Sequence, residues 1–121
     1  MILAANRKMF HDEGINIIIS SEELIVKCRD KYKTSDFFKS IGVHSPEIFD
    51  RTQLTFPCFV KPYDGSWSIG AESLFSEEQL TSHMLNYKKM MFLVLIDDSY
   101  TEYTVYAYFS KNGNLSCMVV S

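Results

Sequence analysis

A chain of 121 residues with a formal net charge of −3 and 22% charged residues is one globular domain or part of one, with a modest core. The acidic balance and the lack of a dense Lys/Arg stripe exclude a general nucleic-acid surface. No apolar run has the length of a membrane span and no signal-peptide pattern opens the chain, so a cytoplasmic protein with no membrane partner is expected.

In chain order, Asn6 to Glu13 has helical composition and meets a C-capping glycine at Gly14. Ile15-Asn16-Ile17-Ile18-Ile19 is β-branched and apolar, which predicts a strand. Ser21 caps a helix whose first turn holds Glu22 and Glu23, the sign that suits a helix N-terminus. Asp30 is a second cap, opening a helix through Lys39 that Gly42 closes and Pro46 follows. One strand between two helices cannot cover both its faces, because parallel strands need neighbours. Either those neighbours sit on another chain or the sequence is cut from a longer one.

Pro57-Cys58-Phe59-Val60 reads as a buried strand that delivers Lys61 and stops at Pro62, which has no N–H to donate. The loop Asp64-Gly65-Ser66-Trp67-Ser68-Ile69-Gly70 is small, polar and flanked by glycine. Such a loop can turn backbone N–H groups and two hydroxyls toward an anion. A strand-end cation beside it suits a polyphosphate, although a solvated loop with a surface lysine fits the same residues. Trp67 either stacks on a base or pins the loop to the protein, the second being the commoner use.

Ala71 to Phe75 can return as a hairpin partner, and Ser76 caps a helix running to about Tyr87. Met91 to Ile96 is a strand buried on both faces, ended by Asp97 and Asp98. Neighbours on a strand point to opposite faces, so these two acids grip one ion poorly and read as a polar turn. Glu102 to Phe109 alternates as a strand does, Asn112-Gly113 signals a hairpin, and Leu115 to Val120 returns. From Phe56 the order is β-β-α-β-β-β, an α+β layer on one mostly antiparallel sheet. Glu102, starting a strand on the same sheet as Lys61, is either an acceptor for sugar hydroxyls or an ordinary surface acid.

Cys28, Cys58 and Cys117 are odd in number and widely spaced, hence reduced and mostly buried thiols. His11, His44 and His83 share no ligand spacing, so no metal site is expected in the chain. No Ser/His/Asp or Cys/His arrangement carries a nucleophilic mechanism.

Five ordered pieces carry a family likeness: Asp30-Lys31-Tyr32-Lys33; Ile41-Gly42-Val43 with Pro46; Phe56-Pro57-Cys58-Phe59-Val60-Lys61-Pro62; Asp64 to Gly70; and Glu102-Tyr103-Thr104-Val105. Together they resemble the ATP-grasp superfamily, nearest to the large subunit of carbamoyl-phosphate synthase and similar carboxylate–amine ligases. The resemblance implies an α+β, partial ATP-grasp fold over residues 30–121, with a mostly antiparallel sheet and packed helices. Residues 1–29 then resemble the C-terminal remnant of the α/β domain that precedes ATP-grasp.

The same resemblance implies ATP as ligand, with Lys31 and Lys61 on its phosphates. Gly65, Ser66, Ser68 and Gly70 match the mobile loop that closes over them. Leu95, Ile96, Asp97 and Asp98 match the hinge that reads the adenine edge, and Glu102 matches the ribose-binding glutamate. In such enzymes ATP phosphorylates a carboxylate and a nucleophile displaces phosphate from the acyl phosphate. Lysines and loop amides neutralise charge on the transferring group, as the reaction requires. The hinge departs from the pattern, with Leu95-Ile96 where many relatives carry Gln or Glu, and without glycine at Tyr100 or Thr101.

The family's magnesium ligands follow the equivalent of Ser121, so Mg2+ belongs to a complete parent and this chain is expected to be incomplete for catalysis. Its implied partners are ATP and a missing C-terminal segment or partner subunit, with homo-oligomers if it stands alone. A different class stays open: a degenerate ATP-grasp-like module or split subunit that serves assembly or binding without chemistry. Its apolar strands, Met91 to Ile96 and Leu115 to Val120, would then pair with another chain.

Overall fold

The computed structural model describes residues 2–121. Two short helices, α1 (Ile2–Ala5) and α2 (Arg7–Asp12), lead to Gly14, whose φ of +77° suits glycine best. The strand expected at Ile15 to Ile19 does not form; the segment is irregular and Ile18 is fully exposed. Apolar, β-branched sequence becomes a strand only where a neighbour supplies the other half of the ladder. No strand pairs with it among the described residues.

Two capping residues then open the helices that frame the site. Ser21 Oγ accepts from the N–H of Leu24 at 3.3 Å and starts α3 (Glu22–Arg29). Asp30 Oδ1 accepts from the N–H groups of Tyr32 (3.0 Å) and Lys33 (3.3 Å) and starts α4 (Lys31–Ser40). Each cap satisfies orphan donors of a first turn. Thr34 Oγ1 donates to the carbonyl of Lys27 at 2.7 Å, tying α4 to α3. Gly42, at φ +75°, ends α4 as expected.

The central sheet is antiparallel, with β1 (Cys58–Pro62) between β2 (Glu72–Leu74) and β3 (Met90–Val94). The pleat sorts side chains by alternation. One face of β1 carries Cys58 and Val60, packed with Leu74, Met90 and Phe92 as the core. Burying a side chain of this size stabilises by roughly 1.5–3 kcal/mol. The opposite face carries Phe59 and Lys61, with Met91 and Leu93 of β3, and looks toward α4. Burial of β3 on both faces thus holds from Met90 to Leu93.

Residues 47–49 cover the outer edge of β3. Val94 N–H donates to Glu47 (2.9 Å) and Phe49 N–H to Phe92 (2.8 Å), with a bridge between Ile48 and Leu93. Arg51 braces the same region, donating to the carbonyls of Leu85 and Tyr87 at 2.8 Å and also to that of Met90.

The single helix expected from Ser76 to Tyr87 is instead a 3₁₀ turn (Glu77–Gln79) followed by α5 (Ser82–Asn86). Two capping residues compete for the start. Thr81 Oγ1 caps α5 through Met84 N–H at 3.2 Å, while Gln79 Oε1 turns back to Phe75 N–H at 2.6 Å. Leu80 and Met84 still reach the core.

The last two strands, β4 (Val105–Phe109) and β5 (Leu115–Val120), form a separate two-stranded antiparallel sheet, so the expected single sheet is two. The Asn-Gly signal is local and makes its hairpin, with Gly113 at φ +78° and Ser110 N–H on the Asn114 carbonyl at 2.8 Å. Joining β3 would need its free edge, which residues 47–49 already hold. Every residue of β4 and β5 is exposed. Cys58 is the buried thiol, and burial pushes it up from its ordinary pKa. Cys28 and Cys117 are exposed, against the expectation of mostly buried thiols, because α3 and β5 leave them uncovered. Among the described residues no helix is long and apolar enough to cross a membrane.

Candidate functional site

Three cavities meet at Lys61. The largest, about 270 Å³, lies under the loop and is lined by Lys31, Phe59, Lys61, Gly65, Ser66 and Ser68, among others. A second, about 220 Å³, runs along Phe59 and Lys61 to Leu95 and Ile96. A third, about 160 Å³, lies between α4 and the sheet and again includes Lys31 and Lys61. No carboxylate lines any of them.

Lys61 is delivered by β1 onto the α4 side of the sheet, its Nζ 5.6 Å from the centre of the Phe59 ring. Burial first, and then the charge of Lys31, pull its pKa below the usual lysine value. It joins none of the ion pairs among the described residues. A half-buried cation without a counter-ion favours any anion that enters.

Lys31 opens α4, where a positive charge opposes the helix dipole and adds to the positive potential of the helix end. Its backbone N–H donates to the Tyr63 carbonyl at 2.9 Å. Its Nζ donates to the carbonyls of Gly65 (2.5 Å) and Tyr63 (3.3 Å). Lys31 therefore anchors the root of the loop as well as facing the cavity.

Within the loop, Ile69 N–H donates to the Ser66 carbonyl at 3.3 Å. The two central residues of that turn, Trp67 (φ +59°) and Ser68 (φ +55°), are left-handed without being glycine. This conformation costs roughly 1–2 kcal/mol per residue, and such strain gathers at functional loops. The amides of Ser66, Trp67, Ser68 and Gly70 donate to no protein acceptor among the described residues. An array of free N–H groups beside two lysines is what a phosphate needs. Gly65 N–H, by contrast, is held by the Pro62 carbonyl at 3.3 Å.

Gly70 stands outside the cavity. A Cβ on it would lie 3.3 Å from Cγ of Pro62, and its φ is +73°, so the position closes the loop against the proline. Trp67 is 92% exposed, which rules out pinning of the loop to the protein by its ring. The loop lines the cavity with Ser66, Trp67 and Ser68, so the exposed tryptophan borders it too.

Leu95 and Ile96 border the second cavity and follow the end of β3, so their backbone groups carry no ladder bonds among the described residues. Asp97 and Asp98 stand away from it. Asp97 Oδ1 accepts from Ser99 N–H at 2.9 Å and from its hydroxyl, which holds the carboxyl below its ordinary pKa and makes the expected polar turn. Glu102 is exposed, lies three residues before β4, and lines none of the three cavities. The sheet facing it shares no rung with Lys61, contrary to the single-sheet reading.

One pair at the site escaped the sequence reading. Lys89 Nζ donates to Asp64 Oδ2 at 2.5 Å, across 25 residues of sequence. The hydrogen bond from Lys89, followed by smaller charge effects, holds the Asp64 carboxyl below its ordinary range, and the same bond raises Lys89. Opposite charges so far apart leave no local pattern to read. Among the described residues no three His, Cys, Asp or Glu side chains cluster to hold a metal, so the residues present do not fit a magnesium site.

Comparison with solved structures places this fold. D-alanine–D-alanine ligase from Helicobacter pylori superposes with a TM-score of 0.74 over 95% of this chain and 39% of that one, at 19% identity. L-amino acid ligase from Bacillus licheniformis gives 0.62 over 90% of this chain and 27% of that one, at 18% identity. D-alanine–D-alanine ligase from Bacillus anthracis gives 0.55 over 95% and 48%, at 15% identity. Among curated proteins, 3-methyl-D-ornithine–L-lysine ligase of Methanosarcina barkeri is 46% identical over 52 residues, which is 43% of this chain and 14% of that protein. No family model matches.

The chain has the ATP-grasp fold that it shares with these solved ligases. It spans less than half the length of each of these relatives.

Proposed function

We propose that this chain is the phosphate-binding portion of an ATP-dependent carboxylate–amine ligase. The observation that carries the reading is the convergence of Lys31 and Lys61 on one carboxylate-free cavity under a loop with free amides. In this reading Lys61, the Ser66 and Ser68 hydroxyls and the loop amides hold the polyphosphate of ATP. Lys31 exchanges its Gly65 carbonyl for a phosphate oxygen when the loop closes. Gly65 and Gly70 let the backbone pass close to Pro62. Free backbone groups at Leu95 and Ile96 read the base edge, with Asp97 and Asp98 ending that hinge. Glu102 meets the ribose only if the β4–β5 hairpin moves toward Lys61.

The reaction of the whole protein is transfer of the γ-phosphoryl group to a carboxylate oxygen, giving ADP and an acyl phosphate. An amine then displaces phosphate and forms the amide. ATP supplies the phosphoryl group. Magnesium would be held by the rest of the parent enzyme, where it would neutralise charge on the transferring phosphoryl group. The relatives found are ligases of amino acids by name, which favours an amino acid as the carboxylate over the narrower carbamoyl-phosphate synthase-like chemistry. Residues 1–29 form the end of a preceding α/β domain and residues 30–121 the nucleotide portion, in a cytoplasmic protein.

Calorimetric titration with ATP and magnesium, on the chain and on Lys61→Ala, tests the reading. Saturable binding that the substitution abolishes supports it. Equal heats from both proteins, or none from either at millimolar nucleotide, leave the non-catalytic assembly module as the better account.

A further inference from the structure

The root of the loop is gripped from two sides. On one, Lys31 holds the carbonyls of Tyr63 and Gly65. On the other, Lys89 holds Tyr63 and Asp64: its carbonyl accepts from Tyr63 N–H at 2.9 Å, and its Nζ donates to Asp64 Oδ2 at 2.5 Å. Asp64 is the loop's single carboxylate and is adjacent in sequence to Gly65, which lines the cavity. Both partners of the pair are partly exposed, and neither lines the cavity.

We infer that Lys89 is a positioning residue for the phosphate site: by pairing with Asp64 it withholds the loop's only carboxylate from Lys31 and Lys61. This rests on the phosphate reading of the cavity. The physical reason is competition. A carboxylate freed at Asp64 is covalently tethered beside two cations and meets them at high effective concentration. Lys31 already lies close enough to be among the charges that lower the Asp64 pKa. Once Asp64 turns inward it acts as a built-in anion, and an incoming phosphate must displace it. With Lys89 in place, that cost is removed before any ligand arrives.

An exposed ion pair adds little to stability, so its variants fold and binding can be read cleanly. The test uses sodium tripolyphosphate as probe on four proteins: wild type, Lys89→Ala, Asp64→Asn, and the double variant Asp64→Asn/Lys89→Ala. Lys89→Ala should bind about tenfold more weakly, the scale of one added opposing charge. Asp64→Asn should bind at least as well as wild type, and the double variant should match Asp64→Asn. Equal weakening in Lys89→Ala and the double variant overturns the inference, because Lys89 would then contact the ligand itself. So does unchanged binding in Lys89→Ala.

A second readout needs no ligand. The Lys61 side chain is titrated by NMR through its ε-methylene shift. In Lys89→Ala the inward carboxylate should raise the Lys61 pKa above that of wild type, and Asp64→Asn should cancel the rise. An unmoved Lys61 titration overturns the inference even where no variant binds tripolyphosphate. Absence of binding by wild type alone overturns only the phosphate reading.

Discussion

The Nζ of Lys31 donates to the carbonyl of Gly65 at 2.5 Å, joining the first residue of α4 to the loop 34 positions later. The same lysine lines the cavity that the loop covers. One side chain therefore both fastens the loop root and supplies charge to the site. Lys31→Met keeps the stem and removes both roles. Amide hydrogen exchange at Gly65, Ile69 and Ala71, the loop amides that are hydrogen-bonded, should accelerate by about tenfold, the loss of one charge-assisted hydrogen bond of ~1.5 kcal/mol. Unchanged exchange in the variant would deny the anchoring role.

Lys61 illustrates a conflict between site and stability. Burial and the Lys31 charge depress its pKa, so between the folded value and the unfolded one the unfolded chain holds more protons. Stability contributed through this group therefore rises with pH across that alkaline window and is lowest where Lys61 is charged. Lys61→Met should raise the ligand-free Tm at neutral pH by roughly 2–4 °C, allowing for solvent screening. It should also remove nucleotide binding. Differential scanning calorimetry with and without ATP measures both, and a lower Tm in the ligand-free variant would count against the burial argument.

Gly70 carries a separate prediction. Alanine there must hold φ at +73° and place its Cβ 3.3 Å from Pro62 Cγ. Gly70→Ala should cost about 1–2 kcal/mol, visible as a lower urea midpoint. An unchanged midpoint would mean that the loop relaxes away from the proline without penalty.

Much of this structure is legible from local rules. Asp30 has the chemistry of an N-cap and is one, and removing it in Asp30→Ala should cost about 0.5–2 kcal/mol by chemical denaturation. The apolar run from Met90 to Leu93 is a strand buried on both faces, and the run before Lys61 is a strand with Cys58 and Val60 in the core and Phe59 half-buried on the other face. Two of the failures share one cause, dependence on distant partners. Ile15 to Ile19 lacks a pairing strand among the described residues, and residues 47–49 take the edge that would have joined the hairpin to the first sheet. Thr81 broke a helix whose hydrophobic spacing ran on through it. The placement of Lys61 near a strand end beside a polar loop was legible, whereas the carbonyls held by Lys31 and the Asp64–Lys89 pair required the fold.

The central claim is that the cavity beneath the loop takes the phosphates of a nucleotide. Backbone amide shift mapping during titration of the chain with ATP tests it most directly. The expected result is saturable shifts at Lys31, Lys61 and Ser66 to Gly70, extending to Leu95 and Ile96, with tripolyphosphate reproducing the first group alone. Shifts absent from Ser66 to Gly70, or confined to β4 and β5, would contradict it.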